Sequence, residues 1–266
     1  MELAVHYSPD LDTNRVRWDH RIDRVKVGPW TPPAVLHRYR ARCILHGIDD
    51  GFVLSTRERA SDDVWERVKL LVDVTGTPWL SDHIAFACGD ARVEFVDGQV
   101  RVTGRDELSR AEAIRLIVAG ITAVRQHSAL PFLGENLDYV DIPAYRYISE
   151  PVFITEVVEA SACGLLLDTA HARIAADWLD VPIEHYLSAL PLARMREIHF
   201  NGPRVVGAHL YDAHAPATDE DYRVLAWVLD RARPDMITLE YRGPALEHEL
   251  EHLERFLKDR GLRNVG

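Results

Sequence analysis

Short apolar runs in this sequence repeatedly end in a histidine, an aspartate or a glutamate. In GLLLDTAH (164–171) the run leads straight into Asp168, and His171 follows three residues later. Taken singly, such an aspartate is usually a helix N-cap, and such a histidine is usually a buried core residue. Nine residues lie at the ends of such runs or in the loops that follow them, which is too many for independent caps: His46, His83, Glu135, Asp168, His171, His199, Asp212, His214 and Glu240.

The chemistry that this set predicts is metal binding. Imidazole and carboxylate together suit iron, zinc or manganese, and ligand type alone does not choose among the three. Converging carboxylates would repel one another unless cations neutralise them. Asp212 and His214 are two residues apart, so both point the same way on an extended segment. Glu135 can bridge two ions about 3.5–4 Å apart. So many ligands exceed the needs of one transition-metal ion, and we expect two or three ions.

The elements that must position these residues are apolar runs of strand length. They are LAVHY (3–7), IDRVKV (22–27), RCILHG (42–47), WLSDHIAF (79–86), LPFLGEN (130–136), GLLLD (164–168), MREIHF (195–200) and MITLEY (236–241). Helical patterns lie between them, at 61–74, 106–128, 151–162, 182–190, 219–232 and 244–260.

Strands that alternate with helices over this length predict an α/β protein with a (β/α)8 TIM barrel, in which chemistry gathers at the carboxyl ends of the strands. An open doubly wound sheet is the alternative, but no GxGxxG follows the first strand. We expect residues 1–266 to form a single TIM-barrel domain. RVEFVDGQVRV (92–102) predicts a small hairpin insertion near 91–103, turning at Asp97-Gly98. AHLYDAH (208–214) is expected to be an extended segment at the site.

Composition narrows the function classes. The net charge of −11 disfavours a partner with a phosphate backbone, so nucleic acid is not the expected ligand. No apolar run approaches the roughly 18 residues of a membrane span, and the first residues lack a signal-peptide pattern. Cys43, Cys88 and Cys163 are far apart and predict reduced thiols rather than disulfides or thiolate ligands. These features together predict a cytoplasmic protein.

The motifs around the nine residues resemble those of a known family. They are HG (46–47), SDHIAF (81–86), GEN (134–136), GLLLDTAH (164–171), LPLARMREIHFNG (190–202), LYDAHAP (210–216) and TLEY (238–241). They resemble the multinuclear non-heme iron-dependent oxidative enzymes, whose fold is a xylose isomerase-like TIM barrel. The resemblance covers nearly the whole chain and is strongest from 130 to 241.

The resemblance implies an oxidoreductase with two or three iron ions in a mixed Fe(II)/Fe(III) state and O2 as co-substrate. Its expected reaction is the post-translational modification of a residue, most often cysteine, in a ribosomally synthesised precursor peptide. Such chemistry belongs to the biosynthesis of peptide natural products. The resemblance also implies a small partner protein that presents the peptide.

The resemblance further implies how the ligands divide among three metals. His46, His83 and Glu135 would hold the first metal. Glu135, Asp168, His199 and Glu240 would hold the second, and His171, Asp212 and His214 the third. We expect catalysis to depend most on Glu135, Asp168 and His171. Asn136, Asn201, Arg242 and His6 are candidates for orienting ligands or substrate.

Two other hypotheses remain open. The same ligands in the same order also resemble the trinuclear zinc site of the endonuclease IV family, which cuts DNA at abasic sites. The oxidative family often has asparagine where this chain has His171, and the histidine is more like the endonuclease. EIHFNG (197–202) and the acidic stretch 219–232 favour the oxidative enzyme. A non-enzymatic barrel with a vestigial site is the third hypothesis, and it is weakened because no ligand position is lost.

Overall fold

The structure is a computed structural model, and it describes residues 1–13, 20–96 and 99–263. Its strands are β1 (Glu2–His6), β2 (Arg24–Val27), β3 (Cys43–His46), β4 (Leu80–His83), β5 (Arg92–Val96), β6 (Gln99–Thr103), β7 (Phe132–Glu135), β8 (Gly164–Asp168), β9 (Met195–Phe200), β10 (Gly202–Val206), β11 (His209–Ala215) and β12 (Met236–Leu239). Its helices are α1 (Pro9–Thr13), α2 (Pro33–Arg38), α3 (Asp62–Thr75), α4 (Arg110–His127), α5 (Pro151–Ser161), α6 (Thr169–Trp178), α7 (Ile183–Ser188), α8 (Asp219–Leu229) and α9 (Leu246–Asp259).

Parallel strands close into a barrel in the order β1-β12-β9-β8-β7-β4-β3-β2. The predicted (β/α)8 TIM barrel is therefore confirmed. Each barrel strand runs the same way as its neighbours, so the carboxyl ends of all eight meet at one rim. Every helix among the described residues is too short or too polar to cross a membrane.

The two faces of strand GLLLD (β8) pack into two different hydrophobic cores. Leu165 and Leu167 belong to the large core that also holds buried helix residues, whereas Leu166 belongs to a second, separate core. Because successive side chains of a strand point to opposite faces, Asp168 lies on the same face as Leu166. The second core fills the barrel interior and consists of Ala4, Ile44, Trp79, Leu133, Leu166 and Met236.

Several predicted boundaries shift in the structure. The predicted strand 79–86 ends at His83, after which Ile84 N–H donates to Glu135 C=O of the neighbouring strand and the chain leaves the sheet. The predicted strand 236–241 ends at Leu239, so Glu240 follows the strand rather than closing it. The helix predicted over 106–128 begins at Arg110, because Ser109 caps it through a reciprocal capping box with Glu112.

Two hairpins decorate the rim. β5 and β6 pair antiparallel after β4, while Asp97 and Gly98, where the turn was predicted, lie outside the described residues. The extended segment expected at 208–214 corresponds to β11. Its antiparallel partner β10 was not predicted, and neither were α1, α2 and α6 as separate helices.

Candidate metal centre

Strand register brings the first ligands to one height at the rim. His83 and Glu135 are the last residues of β4 and β7 and are register partners. Asp168 is the last residue of β8, and its register partner in β9 is His199. His46 ends β3. Short apolar strands that each end in a ligand therefore produce a ring of imidazoles and carboxylates.

Glu135 lies at the middle of this ring, and its two carboxylate oxygens face opposite halves of it. Oε2 lies 3.1 Å from His46 Nε2 and 3.6 Å from His83 Nε2. Oε1 lies 3.1 Å from His199 Nδ1 and 3.6 Å from His171 Nδ1. The Glu135 side chain is almost fully buried, so these contacts are formed away from bulk water.

His199 connects Glu135 to the far side of the ring. Its Nδ1 lies 3.3 Å from Oε1 of Glu240. Ligand atoms of Glu135, Asp168 and His199 all fall within 4.8 Å of one another, and so do those of His46, His83 and Glu135. The structure thus brings two predicted groups together around the shared Glu135, with Glu240 beside the second.

The predicted third group is more loosely gathered. Asp212 Oδ2 lies 3.2 Å from His214 Nδ1 and 4.0 Å from His171 Nε2. His214 also directs Nε2 toward Glu240 Oε2 at 3.4 Å, so it contacts the second group. His171 is in the first turn of α6, and its backbone N–H donates to Asp168 Oδ1 at 2.7 Å. Asp168 is therefore both a helix cap and part of the cluster.

The β10–β11 hairpin that carries Asp212 and His214 is held against the end of α6. His209 Nδ1 and the backbone N–H of Leu210 both lie 3.0 Å from Asp177 Oδ2. The Trp178 ring stacks on His209, with centroids 3.9 Å apart. These contacts fix where β11 crosses the barrel mouth.

Two asparagines hold Asp168 in place. Asn136 Oδ1 accepts from Asp168 N–H at 2.9 Å, and Asn136 Nδ2 donates to Asp168 C=O at 3.0 Å. Asn201 Nδ2 donates to Asp168 Oδ2 at 3.3 Å. Both asparagines are buried, so these bonds restrict the carboxylate and its strand end.

His6 and Arg242 lie at the edge of the ring and contact each other. Arg242 Nη2 is 3.1 Å from His6 Nε2, while His6 Nδ1 is 2.9 Å from Tyr7 C=O. Burial, and next the positive charge of Arg242, lower the pKa of His6 to about 3. A neutral His6 can accept from Arg242, so this pair orients the guanidinium at the cavity edge.

Burial by itself would raise the pKa of Glu135, but the charges of His199, His83 and His46 hold it well below its usual value. Burial lowers the pKa of His199, but the negative charges of Glu240 and Glu135 outweigh burial and raise that pKa to about 10. Burial raises the pKa of Asp168 to about 6. Without metal, the site thus balances its carboxylates with protonated imidazoles.

Sequence reasoning missed a polar layer beneath the ring. Glu197 Oε1 lies 2.7 Å from Lys26 Nζ, and both side chains are fully buried. Thr238 Oγ1 and Trp79 Nε1 also donate to Glu197, at 2.6 and 2.9 Å. A usable signal was present, because Glu197 precedes His199 by two residues in a strand and so lies on its face.

A cavity of about 360 Å³ opens above the ring. Ring residues line its base, and the aromatic side chains of Trp30, Phe52, Phe86 and Tyr145 line part of its wall. Asp82 and Asp138, which were not among the predicted site residues, also line it. The volume is within the usual range for small-molecule or side-chain pockets.

The ring has the properties that a metal centre requires. Glu135 Oε2 and Asp212 Oδ1 are buried and make no hydrogen bond, although carboxylate oxygens away from water normally have partners. Two ligand atoms bound tetrahedrally to one ion at about 2.1 Å lie roughly 3.4 Å apart. The separations of 3.1 to 3.6 Å from Glu135 to His46, His83 and His199 match that spacing. The donor set therefore fits borderline transition-metal ions such as iron or zinc.

A family model described as RiPP precursor modification enzyme MbnB/TglH/ChrH matches residues 31–257. A UPF0276 protein of Anaeromyxobacter sp. (strain Fw109-5) is 29% identical over 235 residues, which are 85% of this chain and 77% of that protein. The region matched by the family model contains every predicted site residue except His6.

Solved structures share the fold at low sequence identity. A xylose isomerase-like TIM barrel protein from Mycobacterium smegmatis, in complex with magnesium, has a TM-score of 0.58 at 11% identity, covering 98% of each chain. Endonuclease IV from Thermus thermophilus has a TM-score of 0.57 at 15% identity, covering 97% of this chain and 100% of its own. At such identities the likeness shows the fold, a xylose isomerase-like TIM barrel, and not the reaction.

Proposed function

This chain belongs to the MbnB/TglH/ChrH family of RiPP precursor modification enzymes, and on that premise we propose that it is a multinuclear iron, O2-dependent oxidase. RiPPs are ribosomally synthesised and post-translationally modified peptides. The proposed substrate is a residue of such a precursor peptide, with cysteine as the proposed target. A small partner protein presents the peptide in this proposal. One observation carries it: two ligand groups that share the buried Glu135.

The contacts of each side chain support the proposed ligand assignment. His46 and His83 face Glu135 Oε2 and form the first metal site with it. Oε1 faces the second site, whose remaining ligands are Asp168, His199 and Glu240. The third site uses His171, Asp212 and His214, the loosest of the three groups.

Bound iron would supply the one-electron chemistry with O2 and a position for a substrate thiolate. Other side chains of the protein orient the proposed ligands. Ser81 Oγ lies 3.0 Å from His46 Nδ1, which directs the other ring nitrogen, Nε2, toward Glu135. Asn136 and Asn201 hold Asp168. The protonated imidazoles must release protons as metals bind, so assembly of the centre depends on pH.

The cavity above the ring supports a peptide side chain as the substrate. Its base is polar and its wall is partly aromatic, so a thiol at the base would have its neighbouring atoms shielded from water. Arg242, at the edge, offers a cation to a backbone carbonyl or a carboxylate of the peptide.

Metal analysis of protein purified without oxygen tests this proposal. We expect at least two iron ions per chain, with Mössbauer spectra that show both Fe(II) and Fe(III). The precursor peptide then gains a mass change and consumes O2 only when iron-loaded protein and partner are both present. Protein that excludes iron under these conditions while retaining zinc contradicts the proposal.

The placement of His171 keeps a zinc phosphodiesterase as a second candidate. Its Nε2 lies 4.0 Å from Asp212, so a third ion has an imidazole ligand there. Zinc-loaded protein incubated with duplex DNA containing one abasic site distinguishes the two candidates. With a net charge of −11 we expect no cleavage, and efficient cleavage would favour the nuclease.

A further inference from the structure

Directly beneath the ligand ring, the barrel interior holds an ion pair between Lys26 of β2 and Glu197 of β9. Their charged atoms are 2.7 Å apart and both side chains are fully buried. The two strands are not neighbours in the sheet, so the pair crosses the inside of the barrel. Burying two charges is costly, and a buried ion pair is weak evidence of a stabilising role. Packing alone therefore does not account for it.

Glu197 is held rigidly by the donors around it. Lys26 Nζ and Thr238 Oγ1 donate to Oε1 at 2.7 and 2.6 Å. Trp79 Nε1 donates to Oε2 at 2.9 Å. His199 Nε2 is buried and lies 3.5 Å from Oε1. Within the described residues this nitrogen makes no hydrogen bond, and Glu197 is a carboxylate within reach of it.

The opposite nitrogen of the same imidazole faces the metal site. His199 Nδ1 lies 3.1 Å from Glu135 Oε1 and 3.3 Å from Glu240 Oε1. A nitrogen that binds a metal must be free of its proton, and the hydrogen bond made by the other nitrogen selects which one that is. Metal-bound histidines almost always donate this second N–H to a carboxylate, a carbonyl or water.

We infer that Glu197, fixed by Lys26, Thr238 and Trp79, is the positioning residue that accepts the Nε2–H of His199 and so commits Nδ1 to the metal. Lys26 neutralises Glu197, so the carboxylate aligns the imidazole without adding net charge beneath the ions. The inference rests on the metal centre of the proposed function but not on iron or on the peptide.

Glu197→Gln tests this role in protein stripped of metal. The stripped protein is titrated with Co(II) and with Zn(II) against a chromophoric chelator. We expect the variant to bind one ion about 10- to 100-fold more weakly, the usual cost of losing such a partner. Glu254→Gln is the matched control, because Glu254 is also buried and pairs with Arg21, away from the ring. The control should bind metal like the unchanged protein.

A second measurement separates positioning from a structural role. In zinc-loaded protein labelled with ¹⁵N-histidine, we expect His199 as the Nε2–H tautomer, its signal assigned by its absence from His199→Gln. Glu197→Gln should give a mixed or inverted tautomer while the metal-free variant melts as a folded protein. Loss of packing alone would lower the melting temperature and leave the tautomer unchanged.

Each outcome bears on one statement. If the unchanged protein binds metal and Glu197→Gln does so with equal affinity and the same tautomer, the inference is wrong and the metal centre stands. If the unchanged protein binds no metal, the proposed function fails with it. Should Glu197→Gln not fold, Thr238→Val decides: it removes one donor to Oε1 and keeps the charge. A weaker ion or a mixed tautomer in it supports the inference, and unchanged behaviour overturns it.

Discussion

Replacing Glu135 with glutamine should remove two metal ions from each chain rather than one. The substitution keeps the shape of the side chain and removes its charge. Glu135 Oε2 faces His46 and His83, whereas Oε1 faces His199 and His171. An amide offers one oxygen and one nitrogen that carries hydrogens, so it cannot serve two cations.

The expected size of the effect follows from the distances. The separations from Glu135 oxygens to the imidazoles of His46, His83 and His199, 3.1 to 3.6 Å, bracket the roughly 3.4 Å expected for two ligands of one tetrahedral ion. In the proposed centre, Glu135 is therefore a direct ligand at both neighbouring sites. Loss of a partner outside the coordination sphere typically weakens metal binding about 10- to 100-fold. Loss of a direct ligand should exceed roughly 100-fold at both sites.

The assay is metal content after exhaustive desalting of protein reconstituted without oxygen, reported as ions per folded chain. His83→Ala is the matched comparison, because His83 faces only Oε2 of Glu135 and should cost one ion. Glu254→Gln should cost none. Circular dichroism of the metal-free variants verifies that the barrel is formed. If Glu135→Gln loses a single ion, or no more than His83→Ala, Glu135 does not bridge.

Three other expectations are independent of that bridge. His171→Asn should remove one ion and leave the pair around Glu135, as measured by metal content; loss of all ions contradicts separate sites. Asn136→Ala removes the side-chain acceptor of the Asp168 N–H and one donor to the Asp168 C=O, and it should lower the free energy of unfolding in urea by about 1–3 kcal/mol, the usual cost of a buried polar group that loses its partner. The pKa of His199, about 10 in the folded metal-free protein and about 6.5 unfolded, stabilises that protein below pH ~6.5, and this stabilisation is lost as pH rises toward 10. Urea unfolding of stripped protein at pH 7 and 9.5 should show the decrease, and a rise would contradict it.

The barrel was predictable because its strands carry two signals in the sequence, a short apolar run and a polar residue at or near the end of that run. GLLLD and MREIHF have the bounds that the sequence indicated, and each carries apolar residues and a polar residue at or near its carboxyl end. Parallel strands in a closed barrel share one rim, so polar strand ends had to meet there. The fold and the gathering of ligands followed from the same pattern.

Other features depend on contacts that no local pattern contains. β10 carries Val205 and Val206 in an exposed position, so it lacks the apolar alternation by which strands are recognised. The residues around Lys26 in the sequence would predict that it lies on the surface. Only closure of the barrel places it beside Glu197. Asp138 follows the motif GEN by two residues and lines the cavity, although it does not end a strand.

The positions of the ring residues along the chain determine when the metal centre can form. Its members come from most of the barrel strands, and His46 and Glu240 are separated by most of the chain. No short fragment contains both halves of the bridge around Glu135, so a growing polypeptide offers passing ions only isolated imidazoles and carboxylates. The complete chelate appears after β12 has inserted between β1 and β9 and closed the barrel. The complete set of ligands is therefore available only after Glu240 has been synthesised. The metal ions present around the closed barrel at that time determine which metal is bound.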